Sequence, residues 1–177
     1  MSNEVLTFSP NELSDKDIEA CISLLKDGGG VNPRTMAMEL PHAMRLAIIR
    51  EGNEIVGVGA IKIKRPKYAR LIGKKSGFHF NSKIHELGYI ALKESHRSLG
   101  LSYDITAKLL AEFRDRPLFA TCSNEHMKRT LEKAGFVSRG NGWSGLRGEF
   151  TLWIVDADSS EKHDHGVHRL LRIWMSN

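Results

Sequence analysis

Residues 91–110 read ALKESHRSLGLSYDITAKLL: the apolar end of a strand, a polar turn, and then a helical repeat. Inside this stretch, Arg97-Ser98-Leu99-Gly100-Leu101-Ser102 sets an arginine, two spacers, a glycine, one spacer and a small hydroxylated residue just before the helix. A helix N-terminus offers unsatisfied N–H groups and the positive end of a dipole, so such a turn suits a pyrophosphate. Gly100 would let the backbone approach an anion with no Cβ in the way. Ser102 could cap the helix or donate to an oxygen, and Arg97 adds a fixed positive charge. The hexapeptide alone is equally a plain strand-to-helix turn, a task that glycine and serine perform in any fold.

The flanks settle the order of elements. Leu101, Ile105, Leu109 and Phe113 repeat at helical spacing, and Pro117 ends that region. LFATC (118–122) then reads as a short buried strand, NEHMKRTLEKAGF (124–136) as a helix stopping at Gly135, and EFTLWIV (149–155) as a late strand. Upstream, HELGYIAL (85–92) is a strand. RLAIIREGNEIVGVGAIKI (45–63) is a hairpin turning at Glu51-Gly52-Asn53-Glu54, and Gly57 and Gly59 in its second arm suggest a bulge or a close backbone approach. Before it, Ser14 caps a first helix and Asn32-Pro33 opens a second, a pair that reads as a cover over a site. The expected fold is α/β (α+β): a mixed, mostly antiparallel central sheet with flanking helices and one strand-helix-strand crossover between parallel neighbours. Residues 1–155 form the expected single domain, and 156–177 a polar tail with a short amphipathic end.

Composition narrows the function classes. The chain has 177 residues, 41% hydrophobic and 27% charged, which fits one soluble domain. No apolar run approaches the roughly 18–20 residues of a membrane span. The start, MSNEVLTFSP, has neither a basic nor an apolar leader segment, so a cytoplasmic protein is expected. Cys21 and Cys122 are the only cysteines, and both sit in apolar patterns, as buried free thiols do. Net charge is +5, and it is uneven: KIKRPKYARLIGKK (62–75) holds seven basic residues and no acid. Such a run reads as a solvated loop or as a contact for a polyanion.

Taken together, ELGYIALKESHRSLGLSYDITAKLL and LFATCSNEHMKRTLEKAGF resemble the GNAT superfamily, the Gcn5-related N-acetyltransferases. That family carries an Arg/Gln-x-x-Gly-x-Gly/Ala turn after its fourth strand, then a fifth strand, an asparagine, and a helix ending in Gly-Phe. Here these are Arg97, Gly100 and Ser102, then 118–122, Asn124, and Gly135-Phe136, within a likeness covering roughly residues 45–155. The resemblance implies acetyl-CoA, or a related acyl-CoA, lying between the fourth and fifth strands. The backbone of Leu99, Gly100, Leu101 and Ser102, with Arg97 and Ser98, would hold the pyrophosphate. Leu92 would bind the pantetheine or the thioester carbonyl, and Asn124 the pantetheine arm. No metal is implied. The family often forms dimers.

The implied reaction is direct attack of an amine on the thioester, with backbone N–H groups stabilising the oxyanion. An alkyl amine has an intrinsic pKa of about 10.4, so it must lose a proton first. Glu86 is the first candidate base, at the position where histone-type members carry a catalytic glutamate; His85, His79 and Tyr89 are fallbacks. Plain alternation would set Glu86, Gly88, Ile90 and Leu92 on one face of the strand, and His85, Leu87, Tyr89 and Ala91 on the other. The chain departs from the family where a tyrosine usually serves as general acid: that position is Leu131. Ser123, His126 and Tyr103 are substitutes.

Other constellations are weaker. His163, His165 and His168 with Asp164 fit no standard zinc spacing. Trp143, Trp153 and Trp174 could line an acceptor pocket or simply pack. The acceptor would be an amine on a small molecule, a protein or an aminoacyl-tRNA. The alternative from another class is a non-catalytic nucleic-acid-binding or regulatory module on the same fold, motivated by Leu131 and by the basic run.

Overall fold

The structure is a computed structural model that describes residues 4–29 and 32–158. The tail histidines, Trp174 and the amphipathic end therefore lie outside the described residues.

Seven strands form one sheet: β1 (Val5–Phe8), β2 (Arg45–Glu51), β3 (Glu54–Lys62), β4 (His85–Leu92), β5 (Leu118–Cys122), β6 (Val137–Gly145) and β7 (Gly148–Val155), in the order β1-β2-β3-β4-β5-β7-β6. Every neighbouring pair is antiparallel except β4 with β5, the pair joined by the crossover helix α4 (Leu101–Glu112). The remaining helices are α1 (Asp15–Gly28), α2 (Pro33–Glu39), α3 (Pro66–Ser76) and α5 (Glu125–Lys133).

Both faces of the sheet are covered, which is why β2 and β3 read as nearly continuous apolar runs. In β2, Ala47 and Ile49 join Leu87, Ile105, Leu109 and Leu131 under α4 and α5, whereas Leu46 and Ile48 join Leu24, Leu25, Met36 and Leu40 under α1 and α2. On that second face, α3 covers the far half of the sheet through Ala69 and Ile72 against Phe119, Leu152 and Ile154. Gly59 serves close approach: a Cβ there would lie 2.3 Å from Cγ2 of Ile105, so the glycine lets α4 sit down on β3. The hairpin turn has Gly52 at φ 59°, a conformation glycine adopts without steric cost.

The structure corrects the sequence reading in four places. The short strand β1 pairs with β2, and the Gly-rich edge strand β6 pairs with β7. The basic run 62–75 is the end of β3 and the helix α3, not a loop. Pro66 supplies the helix start, and Ala69, Ile72 and Gly73 give it a buried stripe. Finally, β4 does not alternate simply. Val58 of β3 faces Ala91 while Ala60 faces Gly88, so β4 holds one extra residue over that interval. Tyr89 takes up the bulge at φ 53°, a left-handed conformation rare outside glycine. The bulge puts Ile90 and Leu92 on the α4 side with Leu87, and brings Tyr89 and Ala91 onto the opposite side.

Candidate active site

The parallel ladder between β4 and β5 contains only His85 opposite Leu118 and Glu86 opposite Phe119. Beyond those pairs the strands diverge, and a cleft of about 910 Å³ opens between them. Lys93 N–H donates to the Val56 carbonyl in β3 (2.8 Å), so by alternation the peptide groups of Leu92 and Ile90 turn toward the cleft.

The mouth of the cleft is the turn singled out above. Arg97, Ser98, Gly100 and Ser102 line it from one side, and Ser123, Asn124, His126 and Met127 from the other. Ser98 (φ 63°) and Gly100 (φ 79°) both adopt left-handed backbone. Gly100, not Ser102, is the N-cap of α4, and no side chain caps that end. A Cβ built on Gly100 meets no atom within 4 Å, so the peptide faces open space. Ser102 instead lies inside the first turn, its hydroxyl 3.4 Å from that of Thr130, which ties α4 to α5. Arg97 Nε donates to the Leu92 carbonyl (3.4 Å). Asn124 caps α5 by accepting from Met127 N–H (3.0 Å). Leu131, at the position where the family carries its tyrosine, lines the cleft and is buried. Ser123 and His126 line the cleft too, whereas Tyr103 lies under Lys133, whose Nζ is 4.1 Å from the ring centroid.

A polar cluster that sequence reading did not assemble lies at the bulge, on the α2 and α3 side of the sheet. The buried Glu86 carboxylate accepts from Lys62 Nζ and Arg65 Nη2, each at 2.8 Å. Arg65 reaches Glu39 of α2 as well (2.5 Å), and the Tyr89 hydroxyl donates to the other oxygen of Glu39. Lys62 Nζ sits 4.3 Å from the Tyr89 ring centroid. A Cβ on Gly88 would come within 2.9 Å of Lys62 Cε, so the glycine makes room for this arrangement. Burial, then the bond to Glu39, pushes the Tyr89 pKa well above the usual tyrosine range, which keeps the hydroxyl protonated. Burial likewise pushes Tyr68, bonded to Thr121, up to about 12.

Of the four candidate bases, only Tyr89 lines the cleft, and His79 is an exposed residue outside it. Glu86 lies beneath it with its carboxylate shared between two cations. His85 points to the α4 side, edge-on to Phe113, with Nδ1 2.9 Å from the Lys62 carbonyl; burial lowers its pKa. Trp153 is core, and Trp143 stacks on Phe150, which lines the cleft. No signal in the sequence marked Glu39 as the partner of Tyr89, because the bulge that turns Tyr89 toward it leaves no residue signature. Among the described residues, no group of three or more His, Cys, Asp or Glu side chains could hold a metal ion, and no helix is long and apolar enough to cross a membrane.

No family model and no curated protein matches the sequence. Solved structures do match the fold. A GNAT-family acetyltransferase from Streptococcus agalactiae is 13% identical, with a TM-score of 0.66 over 87% of this chain and 96% of its own. The ribosomal-protein-S18-alanine N-acetyltransferase of Escherichia coli is 12% identical, with a TM-score of 0.63 over 88% and 95%. A GNAT acetyltransferase from Elizabethkingia anophelis, solved with acetyl-CoA bound, is 13% identical, with a TM-score of 0.56 over 88% and 99%. The chain has the fold of the GNAT N-acetyltransferases; its sheet is mixed and mostly antiparallel, as expected from the sequence, and β1 and β6 bring it to seven strands.

Proposed function

We propose that the protein is an acyl-CoA-dependent N-acyltransferase that uses acetyl-CoA and transfers the acetyl group directly to an amine. The observation that carries the reading is the splayed β4–β5 pair opening onto the uncapped start of α4. The free N–H groups there, with the dipole behind them, suit a pyrophosphate, and Arg97 adds charge at the same turn. Leu99 to Ser102 and Ser98 would surround the phosphates. The Leu92 peptide and Asn124, on opposite walls of the cleft, would bracket the pantetheine. The donor would supply an activated thioester carbonyl, and the inward-turned strand peptides of β4 would donate to its oxygen as negative charge develops.

The acceptor amine would enter from the Tyr89 side and attack the carbonyl carbon, with the CoA thiolate leaving. Its proton would pass to Glu39, directly or through the Tyr89 hydroxyl, because Tyr89 lines the cleft and its hydroxyl bonds to Glu39. Glu86 is a positioning residue in this reading: it holds Arg65, and Arg65 holds Glu39. Ser123 and His126 are the candidates to protonate the thiolate, since Leu131 cannot. The protein would be cytoplasmic, and a homodimer in keeping with the resemblance.

A thiol-release assay with acetyl-CoA against amines, peptides and charged tRNAs tests the proposal. Acceptor-dependent CoA release supports it; acetyl-CoA that neither binds nor turns over favours the non-catalytic alternative, which the leucine at 131 also suggests.

A further inference from the structure

Between Glu54 and Glu86 the sequence holds no acidic residue and eight basic ones: Lys62, Lys64, Arg65, Lys67, Arg70, Lys74, Lys75 and Lys83. This segment alone exceeds the +5 of the whole chain, so the remainder is net acidic. The structure divides the eight. Lys62 and Arg65 turn inward and are neutralised by Glu86 and Glu39. The other six are exposed, and none forms an ion pair among the described residues. Four of them, Lys67, Arg70, Lys74 and Lys75, follow helical spacing on the outer face of α3, opposite the stripe of Ala69, Ile72 and Gly73. At 1.5 Å per residue that row runs about 12 Å along the axis.

We infer that the outer face of α3 is a docking surface for a phosphodiester backbone. Single-sign exposed cations without carboxylate partners leave a positive field that attracts a polyanion, which displaces the small counterions gathered there. The make-up of the row decides between polyanions. Protein interfaces have an apolar centre and are depleted in lysine. Here Leu71 is the one large apolar side chain exposed within the helix, and lysine predominates. Nucleic-acid interfaces are polar and strongly positive, and phosphates recur at every nucleotide, so a row of lysines meets them without any particular sequence. No exposed aromatic ring stands in the row to stack a base, so the contact would be to the backbone and not sequence-specific. The inference does not depend on the acyltransferase reading.

The test is fluorescence anisotropy of the full chain with a labelled single-stranded RNA, a single-stranded DNA and a duplex DNA of equal length, over a salt series. Saturable binding is expected, with a log–log salt slope near −3 for single strands if about four phosphates are engaged. Replacing the row together (Lys67→Gln, Arg70→Gln, Lys74→Gln, Lys75→Gln) should weaken binding more than ~10-fold and flatten the slope. Because all four side chains are exposed, the melting temperature and the acetyl-CoA titration should stay as in the parent. The single-stranded RNA and DNA should bind about equally, because the contact is to the backbone phosphates. Absent binding, an unchanged slope in the variant, or polyglutamate competing as well as RNA would each overturn the inference.

Discussion

The Tyr89 hydroxyl donates to the Glu39 carboxylate, joining the bulge of β4 to the last residue of α2. Because Tyr89 also lines the cleft, this bond gives Glu39 a path to the reacting centre in the proposed reaction. Glu39→Gln should lower kcat far more than it changes the KM for acetyl-CoA. Tyr89→Phe should lower kcat less. Equal kcat in Glu39→Gln and the parent would remove Glu39 from the mechanism.

Glu86 is predicted to matter first for stability. Its carboxylate is buried and faces Lys62 and Arg65, so Glu86→Gln leaves two cations short of a counter-charge. Loss of one partner from such a cluster costs about 3 kcal/mol, measurable as a lower urea midpoint at constant m-value. An unchanged midpoint contradicts the arrangement. If Glu86 only positions Arg65, the pH–rate profile of the variant keeps its shape.

Alkaline pH should destabilise the protein. Burial raises the Cys21 thiol from 9.0 to about 12 and the Tyr68 hydroxyl from 10.0 to about 12. Between those limits the unfolded chain releases protons that the folded chain keeps. The stabilisation is therefore complete below pH 9 and is lost as pH rises toward 12, by up to ~1.4 kcal/mol per pH unit for each group. Denaturation curves at pH 8, 9.5 and 11 should show a steady fall, less steep in Cys21→Ala. A flat profile would contradict the burial of both groups.

The sequence exposed the turn at the mouth of the cleft better than the polar cluster at the bulge of β4, for a physical reason. The Arg97 to Ser102 turn, Asn124 and Gly135 are local backbone devices (a left-handed turn, a helix cap and a helix stop), and residue type at fixed spacing reports them. The Glu39, Arg65, Glu86 and Tyr89 cluster depends on a one-residue bulge and on four elements meeting, and nothing in the spacing of those residues encodes it. The helix α3 was obscured differently: its exposed face is so basic that charge hid a buried stripe of only Ala69, Ile72, Gly73 and Ser76. In β6, nearly every side chain is exposed, so no alternation marks the strand.

Cys122 offers a labelling test of where the cofactor lies. Its thiol lines the cleft, donates to the Asn124 carbonyl at 3.3 Å, and has its pKa raised by burial. Iodoacetamide should modify it slowly, and acetyl-CoA should slow it further, while the fully buried Cys21 stays unlabelled. Peptide mass spectrometry reads both sites. Labelling of Cys122 that ignores acetyl-CoA would place the cofactor elsewhere.

Calorimetric titration of acetyl-CoA into the parent and Gly100→Val tests the central claim most directly. The parent should bind one acetyl-CoA per chain. In the variant, a β-branched residue at φ 79° strains the turn by about 1–2 kcal/mol and adds a side chain at the phosphate site, so affinity should fall at least ~10-fold. No binding by the parent, or equal affinity in the two proteins, would contradict the account.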